Sequence, residues 1–190
     1  LLSAWMKGVG QYRPSLAMVE RLQCEVIHAK QDAQAALHWQ GFYYVRYQQQ
    51  LYRLTAETYL AEQQVQTSLK TIKFALKDSV QVLSGKFIIA PAQLGLSPTL
   101  LQQALHLQQR QGGEKIHLYG RVGTWPLKKA IQEAQIFPWA RHTIQILSTD
   151  NVMLGVFTPK GFWLAQSAYC EAGGWLPISV SSTLELNDEH

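Results

Sequence analysis

Four glycines and a proline between Gly112 and Pro126 constrain the fold of this chain more than any other feature. Gly112-Gly113 permits a tight hairpin turn, and Gly120 and Gly123 bracket Arg121 in a loop. Ile116, Leu118 and Tyr119 continue a strand between them, and Thr124 is expected to cap a helix whose first turn accepts Pro126. Leu127, Ala130, Ile131 and Ala134 then share one helical face, leaving Lys128, Lys129, Gln132 and Glu133 towards water. Strand, glycine-rich loop and helix are thus predicted within some thirty residues.

Charge is focused on the same stretch. From Arg110 to Arg141 six Lys/Arg face two acids, a net of +4, whereas His142 to His190 carries one Lys and five acids, a net of −4. Focused positive charge is what phosphate-binding surfaces carry. A cationic loop running into a helix start makes a phosphate cradle one reading. A basic surface helix after a turn is the other, and the residues alone leave both open.

The 190 residues allow one or two domains with modest cores. The composition is globular, and no apolar run reaches the roughly 18 residues a membrane span needs, so no membrane partner is expected. Cys24 and Cys170 are single and lie in no CxxC, which suits a reducing cytoplasm. The opening LLSAWMKGVG reads as the end of a helix, so the chain is expected to be a fragment of a longer protein.

Along the chain, a helix ends near Gly8 and Gly10, and Ser15 caps a second that is predicted to run to about Ala33. Leu37 to Thr55 is rich in aromatics around Gln48-Gln49-Gln50 and reads as a hairpin. Aromatics beside Arg46 and Arg53 could stack on bases. The core of a small sheet is the preferred reading, and Arg46 is retained as a contact candidate. A Gln-rich connection, Ala61 to Ser68, precedes an alternating segment from Leu69 to Leu76 and a second hairpin around Ser84-Gly85. Lysines outnumber acids between Gln64 and Ser97, a second and weaker basic patch. Pro91, Gly95 and Pro98 are expected to break regular structure and mark a domain boundary.

Beyond it, Thr99 to Gln109 is predicted as a helical turn and then a strand paired with Lys115–Tyr119. Pro138 should stop the basic helix's segment, and strands are expected at 143–147, 152–157 and 162–166, followed by a frayed polar end. The fold class predicted is α+β in two small domains. Residues 1–97 form an N-terminal helical segment with β-hairpins, and residues 98–190 a C-terminal mixed α/β sheet domain.

The usual catalytic signatures are missing. The sequence has no GxGxxG after a strand, GxxxxGK[ST], HExxH or GxSxG, and its histidines lack ligand spacing. No catalytic residue and no metal ligand is assigned.

Two stretches resemble bacterial tRNA(Ile)-lysidine synthases, in their C-terminal part. The second half carries Arg110, Gly112-Gly113-Glu114, Gly120-Arg121, Gly123, Leu127-Lys128-Lys129, Gln132-Glu133, and Pro138-Trp139 with Arg141 in the family's order and spacing. The first half carries Pro14-Ser15, Glu25-Val26, Ala29, Asp32-Ala33, Arg46-Tyr47 and Leu51-Tyr52, similar to the segment after that family's catalytic domain. Thr124-Trp125-Pro126 departs from the family's glycine and basic residues; Val45, Gln108, Phe137 and His142 depart too.

The resemblance implies a ligase that uses ATP and Mg to join lysine to the wobble cytidine of the isoleucine tRNA with a CAU anticodon. That chemistry belongs to an N-terminal domain with a Ser-Gly-Gly-x-Asp-Ser phosphate loop, a motif not found here, so this chain is expected to hold no cofactor and to be inactive alone. Its implied partners are that tRNA and the catalytic domain of the same protein. Arg121, Lys128, Lys129 and Arg141 are the expected phosphate contacts, with Arg110, Lys115 and Arg46 secondary. The competing class is a protein-interaction or structural module that docks on a catalytic domain or forms a homodimer.

Overall fold

The computed structural model describes residues 1–8, 12–30, 35–61 and 69–180. The Gln-rich connection at 62–68 and the last ten residues lie outside them; the second helix, expected to reach about Ala33, instead ends at Ile27, where Arg46 takes up the Ile27 and Ala29 carbonyls. The chain forms two compact units, 1–63 and 64–190, and its fold is α+β.

In the first unit, α1 (Leu2–Lys7) ends at Gly8, whose φ is 50°. The Ser15 side chain accepts from the Met18 N–H, the predicted cap, and starts α2 (Leu16–Arg21), prolonged by a π-helical turn, Leu22–Ile27. Three antiparallel strands follow as a meander: β1 (Ala36–Trp39), β2 (Phe42–Tyr47) and β3 (Gln50–Thr55). The sequence predicted one hairpin here; the structure has two. Both turns need left-handed backbone, at Gln40-Gly41 (φ 51° and 77°) and at Gln48-Gln49 (φ 47° and 65°). Alternation along β2 sends Tyr44 inward to pack with Met6, Leu22, Val26 and Leu37. Its hydroxyl donates to the Met6 carbonyl at 3.0 Å, which satisfies the buried polar end. A short helix, α3 (Ala56–Leu60), capped by Thr55, ends the described part of this unit.

The second unit is built on a five-stranded antiparallel sheet ordered β12-β11-β10-β7-β4, from Gly161–Leu164, Val152–Thr158, Gln145–Thr149, Leu105–Gln109 and Lys70–Ile72. A second sheet holds β5 (Ser79–Val82), β6 (Gly85–Leu96), β13 (Cys170–Ala172) and β14 (Trp175–Ser179). Its Phe87, Ile89 and Leu96 pack with Leu105, Leu107, Leu147 and Phe157 of the first sheet, joined by Leu100 and Leu101 of α4 (Pro98–Leu101). On the opposite side, Ile146 and Val156 pack with Leu127 and Ile131 of α5 (Leu127–Glu133). Three layers result, with β10 buried almost throughout. A bulge at Leu154 changes the alternation of β11, since Leu147 pairs with Gly155 while Ser148 pairs with Met153. Gly155 also lets β12 approach: a Cβ there would lie 2.2 Å from the Phe162 ring.

Three expectations are corrected. β6 runs through Pro91 and Gly95, because Ala92 N–H donates to Gly174 O and alternation turns Pro91 away from β14, past Ile88 where β5 stops pairing. A Cβ at Gly95 would meet the Trp175 backbone at 2.6 Å, so glycine there serves the sheet instead of ending it. β7 does not pair across the Gly112-Gly113 turn, since β10 and β4 occupy its two edges. Instead β8 (Lys115–Ile116) pairs with β9 (Trp125–Pro126), so Thr124 does not cap the helix, and Pro126 is the residue before it. Apart from these, the division expected at 97/98 does not coincide with the boundary between the compact units at 63/64. Leu96, Leu100, Leu101 and Leu105 share one buried cluster, so no change of core occurs at Ser97.

Candidate nucleic-acid interface

The basic stretch folds around Glu114. One of its carboxylate oxygens accepts from the N–H groups of Gln111 and Gly112, which closes the turn at Gly112 and Gly113 (φ 101° and 84°). Its other oxygen lies 3.7 Å from Arg110 Nε, and both atoms are buried. The Glu114 carbonyl accepts from Leu127 N–H at 2.8 Å, which fixes where α5 begins. That first helical N–H is therefore occupied by the chain itself. The phosphate reading rests on side chains instead.

Those side chains stand where the sequence put them. Leu127, Ala130 and Ile131 are buried, while Lys128, Lys129, Gln132 and Glu133 are exposed. Lys129 Nζ sits 4.2 Å from the centre of the Trp125 ring, and Trp125 Nε1 donates to Val122 O at 2.9 Å. Arg121 reaches across from the loop to Glu133 at 2.9 Å, with both side chains about half exposed (55% and 47%). The loop is held at its base by His117, whose Nε2 lies 2.9 Å from Arg121 O, and by Tyr119 N–H donating to Leu164 O. Lys115, opposite Pro126 on the two-stranded ribbon, is exposed.

Arg121, Lys115, Lys128 and Lys129 are thus gathered on α5, its ribbon and the loop between. Arg110 supports the turn beneath them. Arg141 lies in a 3-10 turn, Pro138–Thr143, and donates from Nε to Ile136 O at 3.2 Å. Arg46 belongs to the first unit, where it donates to the carbonyls of Ile27, Ala29 and Lys30. Its guanidinium caps the end of the π-helical turn, a job no local sequence pattern announces.

Sequence reasoning missed the groove beside the Arg121–Glu133 pair. It measures about 510 Å³ and is walled by Leu94, Leu118, Tyr119, Trp163, Leu176 and Ala134, among others. These come from five separate elements, so no spacing could have grouped them. Among the described residues no cluster of His, Cys, Asp or Glu is arranged to hold a metal, and no helix is long and apolar enough to cross a membrane.

Comparison with known proteins adds two family matches. The model described as "TilS substrate binding domain" matches residues 1–52, and "TilS substrate C-terminal domain" matches residues 105–176. A curated tRNA(Ile)-lysidine synthase from Acinetobacter baylyi is 64% identical over 189 residues, covering 100% of this chain and 41% of the relative. The chain belongs to the tRNA(Ile)-lysidine synthase family. The match lies in the C-terminal part of these synthases. Synthases from Xanthomonas campestris and Legionella pneumophila are 32% and 31% identical over 81% and 80% of this chain, and 33% of each relative is covered. The chain therefore spans well under half the length of these relatives. A solved structure, "Crystal structure of TILS C-terminal domain", overlays 60% of this chain and 98% of that one with a TM-score of 0.41 and 17% identity. The basic ribbon, loop and α5 all fall inside the substrate C-terminal match.

Proposed function

We propose that this chain is the tRNA-gripping part of a tRNA(Ile)-lysidine synthase, which joins lysine to the wobble cytidine of the CAU-anticodon isoleucine tRNA. The observation that carries the reading is the gathering of Lys115, Arg121, Lys128 and Lys129 on one ribbon, loop and helix within the substrate C-terminal match. Long cationic side chains on a fixed helix face hold RNA through phosphates and 2′-hydroxyls. A-form RNA hides its base edges in a deep groove, so such contacts set register on a stem. The acceptor stem is the part we assign to this surface, with Arg141 and Arg110 at its margin. Arg46 contributes by holding the first unit's fold.

In this reading residues 1–97 are the substrate-binding stretch and residues 98–190 the C-terminal tRNA-binding stretch, a division by role that does not coincide with the compact units 1–63 and 64–190. The family matches leave 53–104 between them, a span that contains both this division and the unit boundary at 63/64. ATP, Mg and the bond-forming residues belong to the catalytic domain of the longer protein, which works in the cytoplasm.

The test is equilibrium binding of an acceptor-stem duplex across a salt series. Each phosphate contact contributes roughly one unit of log-affinity against log-salt slope. Lys128→Ala with Lys129→Ala should lower the slope by about two units. An unchanged slope and affinity at equal stability would remove these lysines from the interface.

A further inference from the structure

The groove beside α5 combines features that neither an apolar core nor a plain phosphate surface requires. Tyr119 and Trp163 give it aromatic walls, and Leu94, Leu118 and Leu176 an apolar lining. Arg121 and Glu133 also line it, and their side chains lie 2.9 Å apart. Both are about half exposed, and ion pairs of that kind contribute little to stability, so the pair can open cheaply. A volume of about 510 Å³ lies within the range of small-ligand clefts and suits one planar group with its attached sugar.

We infer that this groove receives one unpaired nucleotide of the bound RNA, its base among Tyr119, Trp163 and the leucines. This rests on the tRNA-binding reading above and adds to it a site for a single-stranded residue next to the stem. The chemistry matches part by part. Base faces stack on aromatic rings, and unpaired RNA residues are read in this way on protein surfaces. The Arg121 guanidinium is a donor fork for the nucleotide's phosphate, and the Glu133 carboxylate accepts from an exocyclic amine of the base. Its lining from Leu118 to Ala134 belongs to the stretch of net charge +4, and its own charges are a paired guanidinium and carboxylate, polar groups that suit a nucleotide better than an apolar peptide.

The measurement is the ratio of affinities of the 190-residue chain for two RNAs: a blunt duplex, and the same duplex with a short single-stranded 3′ extension. A ratio cancels any loss of folded protein in a variant. The parent should prefer the extended duplex by about tenfold, the scale of stacking one base on an aromatic surface. Tyr119→Ala, which removes a wall, and Ala134→Phe, which fills the groove from the residue just past α5, should each bring the ratio to near one. Blunt-duplex binding without any preference for the extension would overturn the groove assignment while the stem-binding reading stands. A preference that both variants retain would place the nucleotide elsewhere and overturn it as well. If neither RNA bound, the tRNA reading itself would fall, and the groove assignment with it.

Discussion

Arg46 shows how a residue can match a family pattern and still work on its own backbone. Its guanidinium donates to Ile27, Ala29 and Lys30 carbonyls at the end of a helical turn, where acceptors have no partners within the helix. Arg46→Leu should therefore cost roughly 1–3 kcal/mol of stability, read from urea unfolding, because two part-buried carbonyls lose a charged donor. Tyr44 yields a prediction against pH. Its burial raises the hydroxyl pKa above the ordinary tyrosine value, while Arg53 pulls it down by a smaller amount. The folded-state value exceeds the unfolded one, so the neutral phenol's contribution is complete below about pH 10 and is lost as pH rises through the raised value. Unfolding midpoints should fall more steeply above pH 10 in the parent than in Tyr44→Phe. Identical profiles would contradict this. Neither role was legible in the sequence, since the carbonyls that meet Arg46 and Tyr44 lie 16 or more residues away.

At the scale of elements, what could be read depended on whether the partner was local. The amphipathic face of α5, the Ser15 cap and the three late strands follow from side-chain spacing or from a hydroxyl three residues before its N–H, so they were legible. The pairing of β7 was not, because a strand's edge goes to whichever neighbour reaches it, and here those are β4 and β10. The Gln40-Gly41 turn was missed because aromatics on both sides read as one continuous strand. The Gln48-Gln49 turn holds two non-glycine residues in left-handed backbone. Replacing that pair by Asn-Gly should raise stability by about 1 kcal/mol, measured as a shift in urea midpoint at constant slope. Leu127 is fully buried at the start of α5. Leu127→Ala should cost about 2–5 kcal/mol and weaken RNA binding in proportion to the loss of folded helix.

For the whole molecule, charge and shape carry the proposed function. The two packed sheets of the second unit support α5 as the third layer, and the cations stand on that helix and its ribbon. The focusing of charge was visible in the sequence because like charges lay close along the chain. The groove was not, because its walls come from β6, the glycine-rich loop, α5, β12 and β14. In the proposed function this outer layer binds the body of isoleucine tRNA through phosphates. The most direct test is the salt dependence of tRNA affinity for the parent and for the Lys128→Ala/Lys129→Ala variant at matched stability. A steep slope in the parent that falls by about two units in the variant is the predicted result. Equal slopes, or binding indifferent to salt, would contradict it.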